Sequence, residues 1–241
     1  MFLNGTGQGT LWSGATDKVL DGWGPMLRLA MPGLIMVEAE YFAFEILVVI
    51  SAQFSTAHLA AQTILATINS AFWQIPFSIG VAGTTRIAQH IGASSVSSAQ
   101  LSACIVLAYT ACCSASSSMV FFFLREYWPL LFTDDAEVVG LVERALPIVA
   151  VMHLFDGLAA CCNAMLRGIG RPAFGGWTNL VCYYAIALPL SLWTGFGLEW
   201  ALAGLWIGVS IALVIVVVVE LVYLATANWT KSVEDAVERN R

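Results

Sequence analysis

Six stretches of this chain are apolar over the length a helix needs to cross a bilayer, and short polar segments separate them. A ~30 Å hydrocarbon layer takes roughly 20 helical residues, and the stretches run over 26–52, 59–91, 99–124, 136–166, 172–193 and 201–227. The first has Pro32 in its opening turns, and the second is interrupted by Pro76, Gly80 and Gly83. The third carries a run of small residues over 114–118, and the fourth contains Pro147. Thr133, Asp134 and Asp135 supply N-cap chemistry ahead of the fourth stretch. Pro172 suits the first turn of the fifth. After Trp229, charged residues alternate with Val233, Ala236 and Val237 at helical spacing, which predicts a short interfacial tail helix. The pattern therefore predicts an all-α polytopic membrane protein. It has an N-terminal segment over 1–25, a six-helix transmembrane bundle over 26–227 and an amphipathic tail over 228–241. Residues 1–21 are polar and Gly-rich, so no signal peptide is expected.

Composition supports the membrane reading. Hydrophobic residues make up 59% of the chain and charged residues 11%, whereas soluble domains hold about 45–50% and about 25%. Lys and Arg do not cluster, so neither a nucleic-acid face nor a polybasic lipid-binding run is expected. Their distribution does set an orientation. With six spans both termini share a side, and that side carries Lys18, Arg28, Arg86, Arg167, Arg171, Lys231, Arg239 and Arg241, against Arg125 and Arg144 opposite. The positive-inside rule makes the termini cytoplasmic, leaving the sequons at Asn4 and Asn228 unmodified. The location expected is the plasma or vacuolar membrane. Trp193, Trp200 and Trp229 fall at span ends, where indoles anchor at headgroups. The six cysteines lie in apolar segments without a CxxC pair and read as packing groups.

The chemistry resides in acids inside these spans. Glu38, Glu40 and Glu45 fall in the middle of the first, where a carboxylate costs ~2.5–3.5 kcal/mol on insertion scales. Three within eight positions require a polar interior to face. By helical angle Glu38 and Glu45 nearly share a face, and Glu40 points away. Asp156 lies deep in the fourth span, three residues after His153, at a spacing that lets the two touch. Intramembrane carboxyls that take up and release a proton are the physical requirement for a proton-coupled carrier; hydrogen bonding to a neighbouring helix is the alternative role. Gln62, Thr67, Asn69, Asn163, Tyr183 and Tyr184 are the polar groups available to line a cavity. Gly204 and Gly208 form a GxxxG spacing that reads as close helix packing.

An NPA pair, a P-loop, a TVGYG-like filter, HExxH and GxSxG are all missing from the sequence. No enzymatic constellation is present, and no cofactor or metal site is expected. Five segments, in order, resemble a known family. Glu40–Tyr41–Phe42–Ala43–Phe44–Glu45 resembles the E-[WY]-[WF]-x-x-E pattern in the seventh helix of eukaryotic multidrug and toxic compound extrusion transporters. Leu59–Ala60–Ala61–Gln62–Thr63 and Gln74–Ile75–Pro76–Phe77 are similar to the family's eighth helix. The run from Thr85 through Arg86, Gly92 and Ala93 is similar to its cytoplasmic motif. Phe155–Asp156 with Leu166–Arg167–Gly168–Ile169–Gly170 resembles the tenth helix and its exit. Tyr183–Tyr184, Leu188–Pro189–Leu190 and Gly204–Leu205–Trp206–Ile207–Gly208 complete the set.

The resemblance implies one six-helix lobe of a two-lobe, twelve-helix fold around a central cavity, of fungal-like character. It implies an antiporter that exports drugs or organic metabolites in exchange for protons or sodium. The family's acids fall on Glu40, Glu45 and Asp156. The sequence departs from the family pattern at Thr67, where animal members carry an acid, at Gln89, where Asn is usual, and at the additional acid Glu38. The partners implied are an organic small molecule, the coupling ion, the bilayer, and an N-terminal six-helix lobe or a second copy. The alternative reading is a solitary lobe without transport activity, structural or regulatory in role.

Overall fold

The computed structural model describes residues 23–239; the expectations for Asn4, Lys18 and Arg241 lie outside them. Among the described residues every regular element is helical. These are α1 (Trp23–Ser51), α2 (Thr56–Gly92), α3 (Val96–Phe123), α4 (Ala136–Gly168), α5 (Pro172–Val181), α6 (Leu188–Leu192), α7 (Ala201–Thr226) and α8 (Trp229–Arg239). A short 3₁₀ turn, Pro129–Leu131, precedes α4. The helix starts follow local chemistry. Asp135 caps α4 by accepting from the Glu137 amide at 2.9 Å, and Ser55 caps α2 by accepting from the His58 amide at 3.2 Å.

Five of these helical stretches are long and apolar enough to cross a membrane: Thr56–Gly92, Val96–Phe123, Ala136–Gly168, Pro172–Gly197 and Ala201–Thr226. The sixth expected span, α1, is 29 residues long but carries three glutamates that break its apolar run. The fifth span extends past the expected end at 193 because its helix widens twice into π turns, at Cys182–Ala187 and Trp193–Gly197. Pro189, which has no amide hydrogen to donate, lies between the two.

Helix α4 is the centre of the bundle, with α2, α3 and α7 packed around it, while α1 leans mainly on α5. Close approach requires small residues. A Cβ at Gly157 would meet the Ser114 side chain and lie 3.2 Å from Cβ of Pro76, so α2, α3 and α4 meet where only glycine fits. The GxxxG pair behaves as expected. A Cβ at Gly204 would lie 2.6 Å from the backbone at Thr194 and Gly195, and one at Gly208 would fall on Ser191. The contact is sealed by Ser191 Oγ donating to the Leu205 carbonyl at 2.8 Å and Thr194 Oγ1 donating to the Gly204 carbonyl at 2.7 Å.

One end of the bundle is closed by its own apolar cluster. Ile87 and Ile91 of α2, Ala99 of α3, Leu166 of α4 and Leu224 of α7 meet Trp229 and Val233 of α8 there. Trp229 is therefore not a headgroup anchor. It is 8% exposed, and its Nε1 donates to the Leu224 carbonyl at 3.2 Å. Trp193 and Trp200 are exposed. Arg171 ties α8 to the start of α5 through a 2.6 Å ion pair with Asp235. All six cysteines are free, with Cys161, Cys162 and Cys182 buried.

Candidate functional site

A cavity of about 320 Å³ opens between α1, α2, α4 and α7. Its walls combine acids, amides and aromatic rings: Glu40, Tyr41, Phe44 and Glu45 from α1, Gln62, Asn69, Trp73 and Gln74 from α2, Asp156 from α4 and Trp206 from α7. Helix periodicity explains the α1 face, since positions 41, 44, 45 and 48 follow the i, i+3, i+4 and i+7 pattern. Glu40 lies at the edge of that stripe and is half-buried. Glu38, two turns from Glu45 and about 10 Å along the axis, is exposed and lines none of the described cavities. Shared angle alone thus did not group these acids.

Asp156 is 2% exposed and is held from a neighbouring helix. Asn69 Nδ2 donates to its Oδ2 at 3.4 Å, and the Asn69 Oδ1 meets His153 Nδ1 at 2.9 Å. The expected His153–Asp156 contact across one turn is replaced by this bridge, in which the amide of Asn69 reaches both residues. His153 is fully buried against the ring of Phe121, with centroids 4.9 Å apart. The carboxyls of Glu40 and Asp156 lie close enough for their charges to act on one another.

The remaining polar candidates divide. Gln62 lines the cavity and accepts from Trp206 Nε1 at 2.9 Å, which orients that indole. Thr67 does not line it. Its neighbour Ala66 does, while the exposed Thr67 hydroxyl donates back to the Thr63 carbonyl at 2.7 Å. Tyr183 is 2% exposed within the core, and Tyr184 is exposed, so the adjacent pair points to opposite environments and neither lines the cavity. Asn163 lies one step beyond, in a second cavity of about 20 Å³ with Glu40, Trp73 and Arg167. Sequence reasoning passed over Glu220, which is fully buried in α7. The rule that singled out the α1 acids, a carboxylate inside an apolar span, would have found it.

The rings add a second kind of chemistry. Trp73 stacks on Phe77 at 4.7 Å and meets Tyr41 edge-on at 6.2 Å, and Phe44 is tilted against Trp206 at 6.0 Å. Acids and aromatic faces together attract an organic cation by charge and by the ring quadrupole. Among the described residues no cluster of His, Cys, Asp and Glu could hold a metal ion.

Residues 32–193 match the MatE family model. An uncharacterized transporter of Schizosaccharomyces pombe is 34% identical over 92% of this chain and 41% of its own length. Multidrug and toxin extrusion protein 2 of Mus musculus is 30% identical over 95% of this chain and 40% of its own length. Among solved structures, a crystal structure of the eukaryotic MATE transporter AtDTX14 superposes with a TM-score of 0.89 at 28% identity, covering 94% of this chain and 51% of that one. The chain therefore spans about two-fifths of the curated relatives it matches and about half of that structure.

Proposed function

Because this chain belongs to the MatE family, we propose that it is the C-terminal lobe of a secondary antiporter that exports organic molecules in exchange for protons. The observation that carries this reading is the cavity in which Glu40 and Asp156 face each other beside Trp73 and Trp206. Two carboxyls so placed can hold one proton between them. An organic cation entering among the rings replaces that proton's charge, so substrate and proton compete for the same acids and move in opposite directions. Substrate release on the far side leaves the acids to take up the next proton.

The cavity is walled on one side by this lobe. Alternating access requires a second body to rock against it around a midplane site, and the half-length match to the solved transporter supports an N-terminal lobe as that body. The termini of this lobe are placed on the cytoplasmic side. The excess of Lys and Arg expected on that side supports the placement.

The test is efflux driven by a pH gradient, with the N-terminal lobe present, together with equilibrium substrate binding. Glu40→Gln and Asp156→Asn are each expected to abolish concentrative export while substrate still binds. Full pH-driven export by both variants would overturn the proton role. Export driven by a sodium gradient alone would replace the proton by sodium.

A further inference from the structure

The cavity that holds Glu40 and Asp156 continues past Glu40 toward one end of the bundle. Glu40 and Trp73 line both that cavity and the smaller one of about 20 Å³. Arg167 in turn lines the smaller cavity and a third of about 370 Å³, whose other walls are Met26, Ala30 and Gly33 of α1 and Pro172 at the start of α5. The three spaces therefore follow one another, each sharing a wall residue with the next.

The spacing of residues on α1 explains why they fall in line. Met26, Ala30, Gly33, Val37, Glu40 and Phe44 recur at steps of four and three residues, which is one face of a helix. From Ala30 to Glu40 that face covers about 15 Å along the axis. Its outer part is open because the residues are small, and a Cβ at Gly33 would meet nothing within 4 Å. The opposite face is unlike it: Pro32 and Ile35 line an apolar groove of about 270 Å³ with Ala173, Gly176, Trp177 and Leu180 of α5.

The outer space lies at the end of the bundle that α8 closes. Arg167 is in the last turn of α4 and follows Leu166, which belongs to the apolar cluster that Trp229 and Val233 of α8 complete. No described residue of α8 lines the outer space. The narrow space has room for one water, which needs about 10–15 Å³ and several polar partners. Glu40, Asn163 and Arg167 supply those partners. Asn163 is 4% exposed and its Oδ1 has no hydrogen-bond partner in the protein, the condition in which a buried amide oxygen is met by water.

We infer that these spaces form a water-filled path by which the coupling proton leaves Glu40 toward the α8 end, the side on which the termini are placed. Arg167 is the wall that narrows it. The inference rests on the export reading for the proton, but the path itself is a property of this lobe. In the step, the O–H bond of Glu40 breaks and its electron pair stays on the carboxylate. The proton bonds to the oxygen of the water in the narrow space, and that water gives one of its own protons to water in the outer space. The net change is one proton moved from Glu40 to the outer space. Arg167 acts by where its side chain stands. Its charge is engaged by Glu40 and by Glu220 of α7 as well, and no step requires it to be released from either.

The experiment is thiol modification of this chain in lipid nanodiscs by one anionic and one cationic methanethiosulfonate reagent. Mass spectrometry reads each site, so the six native cysteines are followed separately. Gly33→Cys is expected to react fast and Ile35→Cys, on the opposite face, slowly. Val37→Cys should react slowly until Arg167→Ala widens the path, and both reagents should then gain at least about tenfold. Where Arg167→Ala does not fold, Arg167→Lys keeps the charge on a slimmer side chain and should accelerate both reagents in the same direction. Equal rates at Gly33→Cys and Ile35→Cys, no gain at Val37→Cys, or a gain for the cationic reagent alone overturns the path. With the N-terminal lobe present, Gly33→Leu fills the outer space and should slow pH-driven efflux by at least about tenfold while substrate binding is unchanged. Undiminished efflux by Gly33→Leu overturns the path as the proton's route. Full export by Glu40→Gln and Asp156→Asn with the modification pattern intact would count against the export cycle alone.

Discussion

Helices α1 and α4 both carry acids into the cavity, and they are held in opposite ways. Helix α4 is wrapped by α2, α3 and α7, and its Asp156 is buried and hydrogen-bonded through Asn69 to His153. Helix α1 has large exposed side chains along its length, among them Met31, Leu34, Tyr41, Phe42 and Val49, and its Glu45 is exposed. The same chemistry is thus preorganised on one wall and presented on the other. Under the two-lobe reading proposed above, the presented wall is the one that a second lobe would cover. The difference teaches that burial does not decide which acids meet here: the acid fixed by the fold and the acid left open line one cavity.

Four predictions bear on this comparison, and the largest effect is expected on transport. With the N-terminal lobe present, Asp156→Asn and Glu40→Gln should each reduce pH-driven efflux by at least about tenfold, or about 1.4 kcal/mol of lost driving interaction. Glu38→Gln should leave it near wild type, because that side chain lies away from the cavity. An equal loss from Glu38→Gln would erase the distinction between the lining and outward acids of α1.

The second contrast is between glycines. Gly157→Ala on α4 pushes a methyl into Ser114 and Pro76 and should destabilise the bundle by about 1–3 kcal/mol. Gly33→Ala on α1 meets nothing within 4 Å and should stabilise it by roughly 0.5–1 kcal/mol through helix propensity. Denaturation in detergent micelles measures both; the same sign for the two would show that α1 packs as tightly as α4.

The third concerns the bridge. Asn69→Leu leaves His153 and Asp156 without their shared amide and should cost about 1–3 kcal/mol. Asn69→Asp keeps the shape but sets a carboxylate against Asp156, so it should cost more. An unchanged unfolding midpoint for both would show that the bridge contributes nothing to holding α4's acid in place.

The smallest effect is at the closed end. The Arg171–Asp235 pair has side-chain exposures of 36% and 38%, so Arg171→Ala should cost no more than about 1 kcal/mol. Its readout is faster proteolysis of α8 with little change in the unfolding midpoint. Loss of the whole bundle on that substitution would show that α8 is a core element and not a cap.

Much of this architecture could be read from the chain. Apolar length located the helices, Asp135 and Pro172 marked helix starts, and a carboxylate in an apolar run drew attention to Glu40, Glu45 and Asp156, which line the cavity, and equally to Glu38, which does not. Facing direction could not be read in the same way. Thr67 and Tyr184 differ from the lining Ala66 and the buried Tyr183 by one residue each, a turn of about 100° that only the neighbouring helices resolve. The His153–Asp156 pair looked local because three residues separate them, yet Asn69, far away in sequence, takes both hydrogen bonds. Trp229 looked like an interfacial anchor by its position at a span end, but the ends of α2, α3, α4 and α7 form an apolar pocket that buries it. Glu220 was within reach of the carboxylate rule, since it directly follows the apolar run 211–219.

The two π turns of the fifth span change how that helix tolerates alterations of length. Each wide turn at Cys182–Ala187 and Trp193–Gly197 holds about one residue more than an α turn would. Excising one residue from such a turn lets the helix close to ordinary α spacing and keeps the segments on either side in phase. The same excision within α4 would rotate every downstream side chain by about 100° and carry Asp156 or Arg167 off its face. The fifth span is therefore the place where this bundle has already absorbed slack, and where a shortened sequence can still thread the same path.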